Sequence, residues 1–219
     1  MTAPLTVPDW RERARRLVDR LTADGDLHTP GWREALLAVP RHAFVPRYYE
    51  LDNNTRPATW KRHEPSDEAS TARWLELVYS PTTLVTALAD YAGRGVQTGV
   101  VSSTKPDLMI RMLEVLQVAD GMRALEIGTG TGYNAALLCH RLGQDNVCSI
   151  DIDPALITDA RARLAGLGYH PALVAADGAE GLAGHAPFDR IIATCSVRAI
   201  PPAWIHQLAP GGLLLVHLE

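Results

Sequence analysis

The stretch that most constrains this 219-residue chain is Leu125-Glu126-Ile127-Gly128-Thr129-Gly130-Thr131-Gly132-Tyr133. A short apolar run enters it, glycines occupy alternate positions, and an apolar helical pattern leaves it, which reads as a strand, a tight turn and a helix. From there the chain alternates. Residues 123–127, 147–152, 172–176, 190–194 and 213–216 read as strands, the last after Pro210-Gly211-Gly212. Residues 133–142 and 154–167 read as helices, the second capped by Asp153 and carrying Leu156, Ile157, Ala160, Leu164 and Leu167 on its inner side. Such alternation predicts a parallel sheet with helices on both faces, an α/β doubly wound domain from about residue 109 onward.

Upstream the pattern is helical. Trp10, Ala14, Leu17, Val18 and Leu21 recur at helical spacing with Arg11, Arg13, Arg15 and Arg16 between them, predicting an amphipathic helix with a solvated basic face. A second helix starts at Thr29-Pro30, with threonine as its cap, and stops before Pro40, and Met109, Met112, Leu113 and Leu116 mark a third over 106–116. Residues 51–73 supply almost nothing apolar apart from Trp60 and read as a polar surface loop, either a lid or a plain insertion. The division expected is an N-terminal helical segment, 1–101, interrupted by that insertion loop, and a Rossmann-like domain, 102–219.

Twenty-one Lys and Arg against 25 Asp and Glu leave a net charge of −4, so the chain lacks the bulk basic surface that nucleic acid requires. No apolar stretch approaches the ~18 residues of a membrane span. Cys139, Cys148 and Cys195 are an odd number without CxxC spacing, and the eight histidines show no paired ligand spacing. Neither a disulfide framework nor a metal site is expected, and the chain reads as reduced and cytoplasmic. Cys195 reads as a small buried cysteine, His42 as a surface or structural residue, and Arg41, Lys105 and Lys61-Arg62 as a solvated surface or an attraction for an acidic peptide.

The glycine turn discriminates between cofactors. A dinucleotide fingerprint requires a small residue where this chain has Tyr133, and no Gly-Lys-Ser/Thr follows to make a P-loop. The G-x-G-x-G form behind an acidic Glu126 suits S-adenosylmethionine, which carries no phosphate. Asp151, about 20 residues further on at a strand end, is placed to accept from a ribose diol. Asp177, ending the next strand, is placed to accept from an adenine amino group. Either residue alone also reads as a helix cap.

Several strings now add up to a resemblance: Val39-Pro40-Arg41-His42-Ala43-Phe44-Val45-Pro46, the stretch 102–106, the glycine turn, Ser149-Ile150-Asp151, Asp177-Gly178-Ala179-Glu180-Gly181, Phe188-Asp189-Arg190-Ile191-Ile192-Ala193-Thr194 and Pro210-Gly211-Gly212. From about Val39 onward the chain resembles the protein-L-isoaspartate O-methyltransferase family. The resemblance implies an S-adenosylmethionine-dependent methyltransferase fold, with S-adenosylhomocysteine as product and a peptide or protein carrying aspartate or isoaspartate as partner. It implies Asp151 and Ile152 at the ribose, Asp177 and Gly178 at adenine, and Ser102, Ser103 and Thr104 with Glu126, Gly128, Thr129 and Gly130 around the methionine end and the acceptor. Thr194, closing the fourth strand motif, completes the implied cofactor set, and Ser103 and Thr104 are the implied catalytic pair.

Three departures qualify it. The family usually has Thr-Ile-Ser-x-Pro where this chain has Ser102-Ser103-Thr104-Lys105-Pro106. That form, with the polar 51–73 stretch, looks more like the branch found beside ribosomally made peptides, which methylates an ordinary aspartate. The family also continues with further strands, so five sheet strands are expected here, a sheet truncated after the fifth.

A carboxylate acceptor, with a pKa of ~4, is already a nucleophile at neutral pH and needs no general base. The absence of a Ser-His-Asp or Cys-His set therefore does not count against catalysis. Thr104 and Asp107 also read as a capping box, with Asp in place of the preferred Glu or Gln.

Overall fold

The computed structural model describes residues 10–218; residues 1–9 of the expected N-terminal segment and Glu219 lie outside it. The N-terminal half holds α1 (Trp10–Ala23), α2 (Pro30–Ala38), α3 (Arg41–Phe44), β1 (Tyr48–Asp52), β2 (Thr59–His63), α4 (Glu68–Val78), β3 (Leu84–Asp90) and β4 (Gln97–Ser103). Then follow α5 (Pro106–Val115), β5 (Ala124–Ile127), α6 (Tyr133–Leu142), β6 (Val147–Asp151), α7 (Pro154–Ala165), β7 (Ala172–Ala175), β8 (Phe188–Val197), α8 (Pro202–Gln207) and β9 (Leu208–Leu218).

The second half is the doubly wound sheet the pattern predicts. Its five strands run parallel in the order β7-β6-β5-β8-β9, so the connection reverses direction between β5 and β8. Period two decides the faces. Leu125 and Ile127 join Cys148, Ile150, Phe188, Ile191 and Ala193 beneath Trp204 of α8, whereas Ala124, Val147 and Ile192 face the cluster formed with α1, α2, α5, α6 and α7. Ligands bind such sheets beyond the carboxyl ends of the strands, at the reversal.

The first half departs from the expected helical segment. β1 to β4 form a second, antiparallel sheet in the order β2-β1-β3-β4. The stretch 51–73 is no loop: its first residues end β1, Thr59–His63 pair with β1 in unbroken register, and α4 begins at Glu68 on a capping box between Asp67 and Ser70. Ladder bonds and cross-strand pairs hold this hairpin, as in the stacking of Tyr48 on His63 at 4.9 Å, so it forms without an apolar face. A boundary at 101/102 would cut β4, and buried residues of α1, α2 and α4 share one cluster with α5, α6 and α7.

The cap of α2 is also different. Thr29 makes no side-chain cap; its hydroxyl donates to Glu114 Oε2 at 2.5 Å, while the backbone N–H groups of His28 and Thr29 donate to Oε1 at 2.8 and 2.7 Å. A carboxylate from α5 thus neutralises the start of α2 and fastens the two helices together.

Candidate active site

A cleft of about 640 Å³ opens beyond the carboxyl ends of β5, β6 and β8, and the end of β4 forms its opposite wall. Ser102, Ser103, Thr104, Glu126, Gly128, Thr129, Gly130, Asp151, Ile152, Asp177, Gly178 and Thr194 all line it. They come from residues 102 to 194: the reversal of strand order gathers those of the parallel sheet, and β4 of the antiparallel sheet brings Ser102, Ser103 and Thr104 to them.

The turn is built from the backbone outward. Gly128 has φ of 94°, and a Cβ there would stand 2.8 Å from Thr194 Oγ1. That hydroxyl donates to the carbonyls of Gly128 at 2.6 Å and Ile127 at 3.2 Å, so Thr194 braces the turn from β8. On the other side Asp151 Oδ2 accepts from Gly130 N at 2.9 Å, and Oδ1 accepts from Asp153 N at 3.1 Å. Asp177 is exposed and caps the short turn after β7 through Ala179 N at 2.9 Å, its second oxygen having no partner among the described residues. Ile152 is 75% exposed on the cleft rim.

Glu126 lies on the floor, fully buried. Its Oε1 accepts from Asn134 Nδ2 at 2.7 Å and its Oε2 from Ser149 Oγ at 2.6 Å, and Ser149 in turn meets Thr129 Oγ1 at 2.6 Å. Burial raises the Glu126 carboxyl to about 7, reinforced by the charge of Asp151 and resisted by the hydrogen bonds from Ser149 and Asn134. Asn134 also lines the cleft, and its Oδ1 is buried without a partner among the described residues. The sequence pattern marks neither Asn134 nor Ser149 as a site residue; the signal available is a polar side chain at the start of an otherwise apolar helix.

At the wall, Ser103 is 2% exposed and its Oγ accepts from Arg41 Nη2 at 3.1 Å. Arg41 is not a surface residue but wholly buried. Nη1 donates to the carbonyl of Val78 at 2.6 Å, and Nη2 to those of Thr82 at 3.3 Å and Thr104 at 3.1 Å. No carboxylate pairs with it among the described residues, and its guanidinium lies 5.9 Å from the Tyr133 ring centre. Burial lowers its pKa to about 10, which leaves it a cation at neutral pH.

His42, its neighbour, sits among Trp10, Trp74 and Tyr79 with Nδ1 2.9 Å from the Tyr79 hydroxyl, and burial lowers it to about 4. Cys195 departs from expectation: β8 runs past Thr194 to Val197 and leaves Cys195 an exposed residue lining the cleft, its Sγ 4.0 Å from the carbonyl of Ile127. No helix among the described residues is long and apolar enough to cross a membrane.

Comparison with known proteins agrees with this architecture. The family model described as Protein-L-isoaspartate(D-aspartate) O-methyltransferase matches residues 78–219. A protein-L-isoaspartate O-methyltransferase from Ignicoccus hospitalis is 31% identical over 210 residues, 95% of this chain and 82% of that protein. One from Pyrobaculum islandicum is 32% identical over 210 residues, 94% of this chain and 84% of that protein. A solved protein-L-isoaspartate O-methyltransferase superposes with a TM-score of 0.70 at 28% identity, covering 93% of this chain and about half, 54%, of its own. A Plasmodium falciparum structure described as a beta-aspartate methyltransferase in complex with S-adenosyl-L-homocysteine gives a TM-score of 0.66 at 16% identity, over 94% of this chain and 84% of its own, which speaks to fold alone. By its matched residues and by the share of its relatives that it spans, the chain belongs to the protein-L-isoaspartate(D-aspartate) O-methyltransferase family.

Proposed function

We propose that this chain transfers a methyl group from S-adenosylmethionine to the free carboxylate of an isoaspartyl or aspartyl residue in a peptide or protein. The observation that carries the reading is the meeting, in one cleft, of the braced glycine turn and Asp151 with the hydroxyl-bearing end of β4. The cleft suits the cofactor. Gly178 lets the backbone after β7 pack against Ile127, where a Cβ would come within 2.7 Å of Cγ2, and Asn134 Oδ1 is an unused acceptor suited to an ammonium. On this reading Asp151 and Ile152 hold the ribose, Asp177 and Gly178 the adenine, and Ser102, Glu126, Gly128, Thr129 and Gly130, with Thr194 behind them, the methionine end. When bound, the cofactor supplies an activated methyl group.

The chain's part is positioning and exclusion of water. Arg41 donates to Ser103 Oγ, so that oxygen serves as acceptor on one side and its O–H is free to donate on the other. Ser103 and Thr104 then orient the acceptor carboxylate without protonating it. Holding a nucleophile at near-attack distance is worth on the order of 7–11 kcal/mol. In the product ester, the amide nitrogen of the following residue attacks the carbonyl, methanol leaves, and a succinimide closes. Isoaspartate and aspartate esters share that step, and the Ser-Ser-Thr form of the wall favours aspartate in a constrained ribosomal peptide.

The test is to incubate the chain with S-adenosylmethionine and two matched peptides, one aspartyl and one isoaspartyl, and to follow mass. A methyl gain followed by loss of methanol on either peptide supports the reading, and the peptide that reacts assigns the acceptor. Retained binding of S-adenosylhomocysteine with no mass change on either peptide refutes it. If Asp151→Ala leaves that affinity intact, the ribose assignment fails.

A further inference from the structure

The antiparallel sheet has two edges, and they are built differently. β2 carries Lys61, Arg62 and His63 within its five residues, the charged protection that edge strands ordinarily carry against pairing with another chain. β4, the other edge, has none. Residues 95–103 contain neither a charge nor a proline, Val96 is 57% and Val100 is 55% exposed, and no described strand pairs with the outer side of β4, where Trp60 Nε1 takes only the Gln97 carbonyl, at 2.9 Å. An uncharged, unpaired edge of this kind is a template for strand addition. It also leads somewhere: Val100, Val101, Ser102 and Ser103, the last four residues of β4, line the cleft.

We propose that β4 is the docking edge for the acceptor, which adds to the sheet as an extended strand and is thereby carried to Ser103 and Thr104. The inference rests on the methyltransferase reading above and adds how the peptide is recognised. Backbone hydrogen bonds from an edge strand impose an extended conformation and little side-chain preference, which suits an enzyme whose target is a carboxylate. Beyond Gln97, whose carbonyl Trp60 occupies, residues Thr98 to Ser103 offer roughly 20 Å of edge at about 3.4 Å per residue, room for about six acceptor residues. Strand addition also brings each second residue of the acceptor to the same side, so that its carboxylate enters the cleft in only one of two registers.

Backbone N-methylation of the acceptor tests this, because it removes one N–H at a time and leaves the side chains alone. Peptides of about seven residues, methylated on one backbone nitrogen each, are compared with the unmodified peptide for KM and kcat. The two sides of the acceptor residue are read separately, since an isoaspartyl linkage adds a backbone carbon and shifts the alternation. The expected result is a KM raised roughly 5–10-fold at every second position, with intervening positions and kcat unchanged. A uniform effect, or none, overturns the proposal while leaving the methyltransferase reading standing. An unmodified peptide that gains no methyl group overturns that reading, and the docking proposal with it. Edge-to-edge dimers that persist in the presence of peptide, seen by sedimentation and joined to a missing alternation, assign β4 to a second copy and likewise overturn the proposal.

Discussion

Replacing Glu126 with glutamine removes a buried carboxyl without removing its volume, and the hydrogen-bond network can absorb the change. The new amide would keep an acceptor for Asn134 Nδ2 and present a donor to Ser149 Oγ, whose own proton then turns toward Thr129 Oγ1, 2.6 Å away. What the substitution abolishes is a titration. Burial holds the Glu126 carboxyl at about 7 against an ordinary 4.5, so the folded chain retains a proton that the unfolded chain has already lost. At about 1.4 kcal/mol per pH decade, that difference corresponds to about 3 kcal/mol. Its sign is fixed by linkage: the contribution is fully present below pH 4.5 and is lost as pH rises through 7.

Urea unfolding of both proteins between pH 4 and pH 8.5 measures it. The difference between them isolates Glu126 even though His42 titrates with opposite sign in part of the same window. Glu126→Gln should be close to neutral at pH 4.5 and more stable than the natural chain by about 3 kcal/mol at pH 8. Parallel stability curves, or a variant that is the weaker protein at pH 8, would refute the reasoning that the Glu126 charge is held against the burial of its site.

Other perturbations follow from the same geometry. His42 is held neutral, with a pKa lowered to about 4, so its contribution is present above pH 6.5 and lost as pH falls. Between pH 6.5 and 4 the natural chain should lose about 3 kcal/mol that a His42→Phe variant retains, read from the same denaturation series. Arg41→Lys keeps the charge but not the fork that reaches carbonyls at 78, 82 and 104; leaving one or two of them unpaired should cost about 2–4 kcal/mol, measured as a fall in the urea midpoint. Gly128→Ala puts a methyl group 2.8 Å from Thr194 Oγ1 at φ of 94°, and calorimetry should show S-adenosylhomocysteine binding weakened at least ~10-fold. Asp151→Asn turns an amide NH2 toward one of two backbone N–H donors, and roughly tenfold weaker binding is expected in the same titration.

The parallel sheet is legible in the sequence because burial there follows period: the pattern predicts strands over 147–152 and 172–176, which are Val147–Asp151 and Ala172–Ala175, and a helix over 106–116, which is Pro106–Val115. The antiparallel sheet is not. Its strands mix partly buried with exposed residues in no regular alternation and owe their pairing to partners far away, as when Trp60 Nε1 donates to Gln97 O at 2.9 Å. Composition alone cannot distinguish such a hairpin from a polar loop. Arg41 escapes for a related reason. An arginine between Pro40 and His42 reads as solvated, and only the convergence of residues 78–82 and 103–104 supplies enough carbonyls to bury it.

That burial is expensive, and on the proposed reading its location explains it. A guanidinium without a carboxylate partner would be cheaper to replace by an apolar residue than to keep. Yet a direct arginine–carboxylate pair at the acceptor would also be a poor device, because the acceptor's negative charge is consumed in the reaction, and an interaction strongest in the ground state raises the barrier. Arg41 stands one group back. Its Nη1 and Nη2 donate to neutral oxygens, including Ser103 Oγ, while Nε has no partner among the described residues, and an uncompensated positive charge is left behind the wall. Glu126, on the floor, belongs to a separate network, where burial makes its carboxyl hold a proton up to about pH 7. The cleft therefore keeps its buried cation behind the wall and presents hydroxyls and backbone toward the acceptor, an arrangement that orients an anion without neutralising it. Arg41 is in this sense a positioning residue. Arg41→Lys should raise KM for the acceptor peptide more than it lowers affinity for S-adenosylhomocysteine, and equal losses in both would reduce Arg41 to a structural tie.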